Sequence, residues 1–284
     1  MNLSSKVKRY SFFLRAKVLQ KSPFVESLKR PLIIHGSYHK VGTVWFRNIL
    51  SSICCEYGLR FLSQTQEFNT KNIPHKFDAC IHGNSQFNFN ELREYTGSHM
   101  TRDPRDMIIS GYHYHKWTKE AWVHESLADF AKRWEAKGYV WPYAVDSNMT
   151  YQQLLNSVDN DLGIEIEMRR FSRSMMPIMT DWDYANPKIF EIKYHEIMQD
   201  EKAVLRLLFE HYGFHDEAVR KCLKLAEKFS FKNMKGKQNS EAHHLRSGKS
   251  NQWKTEFSDK HIALFKELHG QDLITLGYES NLNW

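Results

Sequence analysis

Short apolar runs alternate with longer amphipathic stretches along most of the chain. Five apolar runs predict buried strands: residues 31–35, 59–63, 78–82, 98–101 and 188–194. Apolar residues recur at helical spacing over 43–57, just before Gly58, and over 201–212, just before Gly213. Strand and helix alternate, so the pattern predicts a single α/β domain with a central parallel sheet of about five strands flanked by helices.

Charge is distributed unevenly along the chain. The formal net charge is +7, and residues 1–30 contain eight Lys or Arg and one Glu, which leaves 32 of each sign in residues 31–284. We therefore predict a basic N-terminal arm or helix over 1–30 and one domain over 31–284. Because the body is electrically balanced, no nucleic-acid partner is predicted.

Two further features limit the class of protein. No run of about 18 apolar residues occurs, so no transmembrane segment is predicted. The four cysteines, Cys54, Cys55, Cys80 and Cys222, form no CxxC pair and indicate neither a disulfide framework nor a zinc site. A cytoplasmic protein is expected, and a homo-oligomer is compatible with the sequence.

The segment HGSYHKVGTVWF, residues 35–46, joins the first predicted strand to the first predicted helix. Such a turn directs backbone N–H groups and the positive helix end at one point, which suits an anion. Lys40 adds a charge and Thr43 adds a hydroxyl. In a Walker loop the lysine follows the glycine, whereas Lys40 precedes Gly42. The segment therefore predicts a site for a compact anion without a metal, and the alternative is a plain tight connection.

Two later segments also carry cationic and hydroxyl groups. In HMTRDPRDMIISGYHYHKW, residues 99–117, Asp103 is a suitable cap for a helix that begins at Pro104. Arg102 and Ser110 are suitable ligands of a second phosphate, and the alternative is a local knot of ion pairs. The polar segment HHLRSGKSNQWKTEF, residues 243–257, is typical either of a loop that closes over a ligand or of a solvated loop.

Together these segments resemble the cytosolic-type sulfotransferases, which use 3′-phosphoadenosine 5′-phosphosulfate (PAPS) and release adenosine 3′,5′-bisphosphate (PAP). YHKVGTVWF is similar to their 5′-phosphosulfate loop, TRDPRDMIIS to their 3′-phosphate motif and RSGKSNQWK to their third signature. FEIKYHEIM resembles their strand–Tyr–Glu–Asp segment. The four motifs occur in the family's order over about residues 32–257. The resemblance implies a P-loop-like fold and a donor held without metal.

The resemblance also implies which residues bind the donor. They are Lys40, Gly42, Thr43, Val44, Trp45, Arg102, Ser110, Tyr194, Phe231, Arg246, Ser247 and Gly248. Lys40 and its neighbours would hold the 5′-phosphosulfate, and Arg102 with the third signature would hold the 3′-phosphate. Trp45 and Phe231 would sandwich the adenine, with Tyr194 at its edge. The sequence departs from the family at Val44, where a threonine is usual, and at Ser247, where a lysine is usual.

Sulfuryl transfer to an alcohol requires a proton acceptor and a group that stabilises the departing phosphate oxygen. His82 lies twenty residues before Arg102, which is the spacing of the family's general base. The alternative for His82 is a structural histidine at a strand end. The implied catalytic residues are His82, Lys40 and Ser110. His113 and His115 are rivals that are expected to line the acceptor side or to face solvent.

The predicted function is sulfuryl transfer to a hydroxyl or amine of a small-molecule acceptor. An aromatic group is the candidate acceptor surface, although such residues are more often core: His113, Trp117, Trp122, Trp141 and Tyr143. The alternatives are a P-loop-type nucleotide kinase and a non-catalytic nucleotide-binding module. The kinase needs a magnesium-binding Ser/Thr and a Walker-B acid, which the sequence does not place. Lys40 and His82 argue against the non-catalytic module.

Overall fold

The computed structural model describes residues 31–64, 77–135, 148–234 and 250–284. The strands are β1 (Leu32–Gly36), β2 (Phe61–Gln64), β3 (Ala79–His82), β4 (Tyr95–Thr101) and β5 (Ile189–Lys193). They form one sheet in the order β2-β3-β1-β4-β5, and every neighbouring pair is parallel. The prediction of an α/β fold with a parallel sheet of about five strands is confirmed, and each predicted strand corresponds to an observed one.

Helices account for most of the remaining described residues. They are α1 (Thr43–Tyr57), α2 (Pro104–His115), α3 (Leu127–Glu135), α4 (Tyr151–Ser157), α5 (Asn160–Ser174), α6 (Met176–Thr180), α7 (Tyr194–His211), α8 (Asp216–Ala226), α9 (Phe231–Met234), α10 (Trp253–Glu256) and α11 (Asp259–Thr275). Among the described helices, none combines the length and the apolar character that a membrane span requires.

The chain forms two compact units. The first contains the sheet and, of the described residues, comprises 31–102 and 183–234; the second comprises 103–182 and 250–284. The predicted arm over 1–30 lies outside the described residues, and the assignment of 31–284 to one domain stays a prediction.

One face of the sheet in the first unit packs against α1, α7 and α8. Ile33, Met100 and Ile192 share a core there with residues of these helices. At the end of α1, Gly58 has a φ of 68° and its N–H bonds the carbonyl of Cys54, a geometry that favours glycine. Helix α7 begins seven residues before the predicted 201–212, and its backbone is non-helical at Asp200. The predicted helix therefore corresponds to the part of α7 beyond this kink.

In the second unit, α2 packs closely against α5. A Cβ on Gly163 would lie 2.5 Å from a carbon of the Tyr112 ring, so only glycine permits this approach. The hydroxyl of Tyr112 donates to Asn160 over 2.8 Å, near the start of α5. The start of α2 is as predicted, because Asp103 caps it and accepts the N–H of Arg105.

Candidate active site

We call the turn between β1 and α1, together with the first backbone amides of α1, the amide cradle. Lys40 has a φ of 70° and Gly42 has a φ of 99°, so both lie in the left-handed region. Helix α1 begins directly afterwards at Thr43, and among the described residues no side chain caps its first turn and no acid lies in it. The first amides of an α-helix have no intrahelical acceptor, and together with the positive helix end they favour an anion at this position. The strand–turn–helix arrangement expected from the sequence is thus observed.

The hydroxyl of Thr43 is used inside this turn. Thr43 Oγ1 donates to the carbonyl of Tyr38 over 2.9 Å and lies 3.0 Å from Ser37 Oγ. A hydroxyl has one proton to donate, so in this conformation Thr43 is not the anion donor that the sequence suggested. Ser37 was missed because nothing in the pattern shows that it lies beside Thr43.

Arg102, directly after β4, hydrogen-bonds to the turn that holds Lys40. Its side chain is buried, Nη1 donates to the carbonyl of Lys40 over 3.0 Å, and its guanidinium lies 4.7 Å from the centroid of the Tyr194 ring. Tyr194 in turn lies against the turn, because one of its ring carbons is 3.5 Å from the position of a Cβ on Gly42. The first unit therefore brings together Lys40, Gly42, Arg102 and Tyr194.

The two predicted adenine-binding rings contact each other. The ring centroids of Trp45 and Phe231 are 4.9 Å apart with an interplanar angle of 18°, and Tyr194 meets Phe231 edge-on. A base between two rings needs about 7 Å, twice the carbon–carbon contact distance of about 3.5 Å. An adenine can therefore lie between them only after they separate. A cavity of about 320 Å³ lies beside Phe231, and its walls include Ile197, Leu205, Leu223 and Glu227.

Four residues form a row across the carboxyl edge of the sheet. His82 of β3 pairs with Gly36 of β1, Gly36 pairs with His99 of β4, and His99 pairs with Glu191 of β5. A Cβ on Gly36 would lie 2.9 Å from Ser85 Oγ and 3.2 Å from a carbon of the His99 ring. Glycine at this position therefore lets the groups on either side approach each other.

The ring of His82 is buried, and its orientation is fixed by the following turn. Nδ1 accepts the backbone N–H of Asn84 and of Gln86, each over 3.2 Å. A neutral imidazole that accepts at Nδ1 carries its proton on Nε2. In this conformation the lone pair that a general base needs therefore faces the protein backbone.

His99 forms a second polar pair in the row. Its Nδ1 lies 2.7 Å from Glu191 Oε2, and its side chain is buried while that of Glu191 is partly exposed. Burial lowers the pKa of His99, and the Glu191 carboxylate opposes that shift. Sequence reasoning missed this pair because its members lie 92 residues apart and meet only through the strand order.

The second unit contains the other described candidates. Ser110 is half-buried on α2. His113 Nε2 lies 2.6 Å from Glu256 Oε2, Trp117 is 48% exposed, and the Trp122 indole N–H donates to Glu120 over 2.7 Å. The remaining candidates lie outside the described residues: Trp141, Tyr143, Arg246, Ser247 and Gly248.

His115 does not face solvent, which was one of the two positions expected for it, and it belongs to a buried polar cluster. It is fully buried, and its Nδ1 lies 2.9 Å from Glu167 Oε2, which also accepts the hydroxyl of Tyr151 over 2.7 Å. The other carboxylate oxygen of Glu167 accepts two N–H bonds from Arg170. A Cβ on Gly111 would lie 2.6 Å from this oxygen, so the cluster fits closely against α2.

Titratable side chains in the described ranges are not arranged for a metal: no group of three or more His, Cys, Asp or Glu residues there could hold an ion.

Comparison with known proteins identifies the relatives of the chain. Residues 99–277 match the family described as "Sulfotransferase domain". A search of curated proteins finds no match. Among solved structures, the mouse sulfotransferase SULT7A1 complexed with PAP is 18% identical, with 90% of each chain covered and a TM-score of 0.52. Retinol dehydratase in complex with androsterone and inactive cofactor PAP is 12% identical over 91% of this chain and 85% of that chain, with a TM-score of 0.47. The likeness to the mouse protein shows a shared fold.

Proposed function

The chain belongs to the sulfotransferase domain family, and from that premise we propose that it transfers a sulfuryl group from PAPS to a hydroxyl or amine of a small molecule. The observation that supports this donor is the amide cradle at the start of α1, with Lys40 and Gly42 in left-handed conformations and Arg102 bonded to the carbonyl of Lys40. The cradle suits the anionic 5′ end of the donor, and the related mouse structure contains PAP.

PAPS supplies the transferable sulfuryl group when it is bound. Lys40 then stabilises the negative charge that develops on the bridging oxygen, because an ammonium group in a partly desolvated turn interacts strongly with a new charge. The amides at the start of α1 stabilise the same charge, and they are fixed before the reaction begins, so that no reorganisation is needed. Catalysis on this proposal consists of positioning and charge stabilisation.

We assign the proton-accepting role to His82, at the carboxyl end of β3. Since Nδ1 accepts the amides of Asn84 and Gln86, a neutral His82 ring carries its proton on Nε2, and His82 becomes a base toward an acceptor only when Nδ1 leaves these amides or the ring turns over. The acceptor would therefore bind together with a change in the turn 83–86. A base of this kind contributes about 10²–10⁴-fold to the rate.

The adenine would lie between Trp45 and Phe231, whose rings would separate on binding, and Tyr194 would contact its edge. Arg102 would hold the 3′-phosphate through its guanidinium fork. The further contacts through Ser110 and the 246–248 segment stay predictions, as do the cytoplasmic location, the acceptor residues and the identity of the acceptor.

Thermal unfolding in the presence of nucleotides tests the donor assignment. PAP at 100 times its Kd should raise the free energy of unfolding by about 2.7 kcal/mol, and ATP with magnesium should raise it much less. An equal or reversed response would overturn the assignment.

The role of His82 is tested by substitution. His82→Ala should abolish turnover and keep the stabilisation by PAP, and a fully active variant would remove His82 from the reaction. Acceptor pools with labelled PAPS, analysed by mass, would then identify the acceptor class.

A further inference from the structure

The cavity of about 320 Å³ beside Phe231 lies at the kink of α7. At Asp200 the backbone leaves the helical region, with a φ of −144° and a ψ of 81°, and the Asp200 side chain accepts the N–H of Ala203 over 3.0 Å. Asp200 thus caps the second part of α7, as an aspartate at a helix N-terminus does. Residues on both sides of the kink line this space, which we call the kink cavity.

Phe231 belongs both to the wall of the kink cavity and to the aromatic pair with Trp45. Trp45 is 3% exposed, and one of its ring carbons lies 3.8 Å from the position of a Cβ on Gly42, so its ring packs against the turn between β1 and α1. Tyr194 meets Phe231 edge-on at a centroid distance of 6.0 Å. The kink cavity therefore provides space on a side of Phe231 that neither of these two rings occupies.

The backbone of Phe231 is held by the residue that follows the kink. Glu201 Oε2 accepts the hydroxyl of Ser230 over 3.1 Å and the N–H of Phe231 over 3.4 Å. Helix α9 begins at Phe231, so this carboxylate lies at the start of that helix. A side chain whose backbone is held moves by rotation about its χ angles, and such a rotation needs no change in the fold.

The kink cavity is large enough for this movement. The centroids of Trp45 and Phe231 are 4.9 Å apart, and a base between the rings requires about 7 Å, so the ring has to shift by about 2 Å. An apolar cavity of about 150 Å³ can hold a whole benzene molecule, and the volume of the kink cavity is 320 Å³. The shifted ring stays out of water because apolar side chains line the cavity: Ile197, Leu205, Leu223 and Ala226.

We propose that the kink cavity receives the ring of Phe231 when a purine base binds against Trp45, an inference that rests on the proposed function. Phe231 and the cavity then determine whether the site accepts a ligand that carries a base. The amide cradle contains no residue of the cavity wall. Filling the cavity with a larger side chain should therefore weaken the binding of PAP and leave the binding of inorganic pyrophosphate, which has no base, unchanged.

Calorimetric titration with PAP and with inorganic pyrophosphate tests this inference. Ala226→Leu puts a larger side chain at the cavity wall and should lower the affinity for PAP about tenfold, because fewer molecules can reach the arrangement in which the rings are apart. Ala218→Leu is the matched control, since it makes the same change about two turns earlier on α8, outside the cavity wall. This control should keep the wild-type affinity for PAP.

The same substitution in a protein without the Phe231 ring supplies a second test. Phe231→Ala itself lowers the affinity for PAP, because one stacking partner of the base is lost. In this background Ala226→Leu should cause no further loss, since there is no ring to shift. A further loss of about tenfold overturns the inference, because the larger side chain then acts on the nucleotide without Phe231.

Each remaining outcome is decisive. A wild-type affinity of Ala226→Leu for PAP overturns the inference, and so does an equal loss of affinity for PAP and for pyrophosphate. If Ala226→Leu does not fold, Ala226→Val takes its place with Ala218→Val as the control; a smaller loss of PAP affinity is then expected, and no loss overturns the inference. A wild-type protein that does not bind PAP contradicts the proposed function itself, and this result is visible before any variant is measured.

Discussion

Replacing Lys40 with glycine and, separately, with alanine distinguishes the strain at this residue from its charge. A left-handed conformation costs a non-glycine residue about 1–2 kcal/mol, and Lys40 has a φ of 70°. Glycine removes that cost but loses about 0.4–1 kcal/mol through the greater freedom of the unfolded chain. Alanine keeps the strain. We therefore expect Lys40→Gly to be more stable than Lys40→Ala by about 1 kcal/mol.

Denaturant unfolding at neutral pH measures this difference, and PAP titration of the same two variants measures the role of the charge. Both variants lack the ammonium group, so both should bind PAP more weakly than the wild type does. The strain argument is wrong if the glycine variant is no more stable than the alanine variant. The assignment of Lys40 to the anion is wrong if either variant binds PAP as tightly as the wild type.

Two further predictions concern buried charges. Arg102→Ala should weaken PAP binding by about 2–3 kcal/mol, because a charged hydrogen-bond donor to phosphate is lost; unchanged affinity in titration would place the 3′-phosphate elsewhere. Glu167→Gln should lower the free energy of unfolding by about 3–5 kcal/mol, because Arg170 is left buried beside a neutral amide. Burial by itself would raise the pKa of Glu167, but Arg170 and His115 hold this pKa well below its ordinary value. The stability that Glu167 contributes is therefore complete above the ordinary carboxyl pKa, and it is lost only as the pH falls through the lower pKa of the folded state. Denaturant unfolding of the wild type and of Glu167→Gln between pH 7 and pH 5 checks this. The reasoning is contradicted if the difference in free energy of unfolding between the two proteins disappears over that range.

Much of the first unit could be predicted from the sequence because its determinants are local. Parallel strands buried on both faces have continuous apolar runs, so the strand positions follow from hydrophobicity alone. Helix α1 has the bounds that the apolar spacing and Gly58 indicate. In the second unit, α2 likewise starts after Asp103 as the capping pattern predicts. The beginning of α7 was missed because the helix is interrupted at Asp200, where the helical period breaks.

The arrangement of the site depends on contacts that no local pattern contains. The pair His99–Glu191 forms because β4 and β5 are adjacent in the sheet, and strand order is not visible in a hydrophobic pattern. The tautomer of His82 depends on the direction of two backbone amides in the turn after β3. Spacing to Arg102 identified His82 as a candidate, but it could not show which ring nitrogen faces outward.

If adenine binds between Trp45 and Phe231 as proposed, it competes with the direct contact that these two rings make with each other. Binding exchanges one ring–ring contact, about 0.5–1.5 kcal/mol, for two base–ring contacts of about 1–3 kcal/mol each. The exchange is favourable, but the observed affinity is lower than that of a preformed slot, because only molecules whose rings have parted can accept the base. In the observed conformation the facing surfaces of the Trp45 and Phe231 rings exclude water from each other, and both side chains are buried, so neither ring contributes an exposed apolar patch.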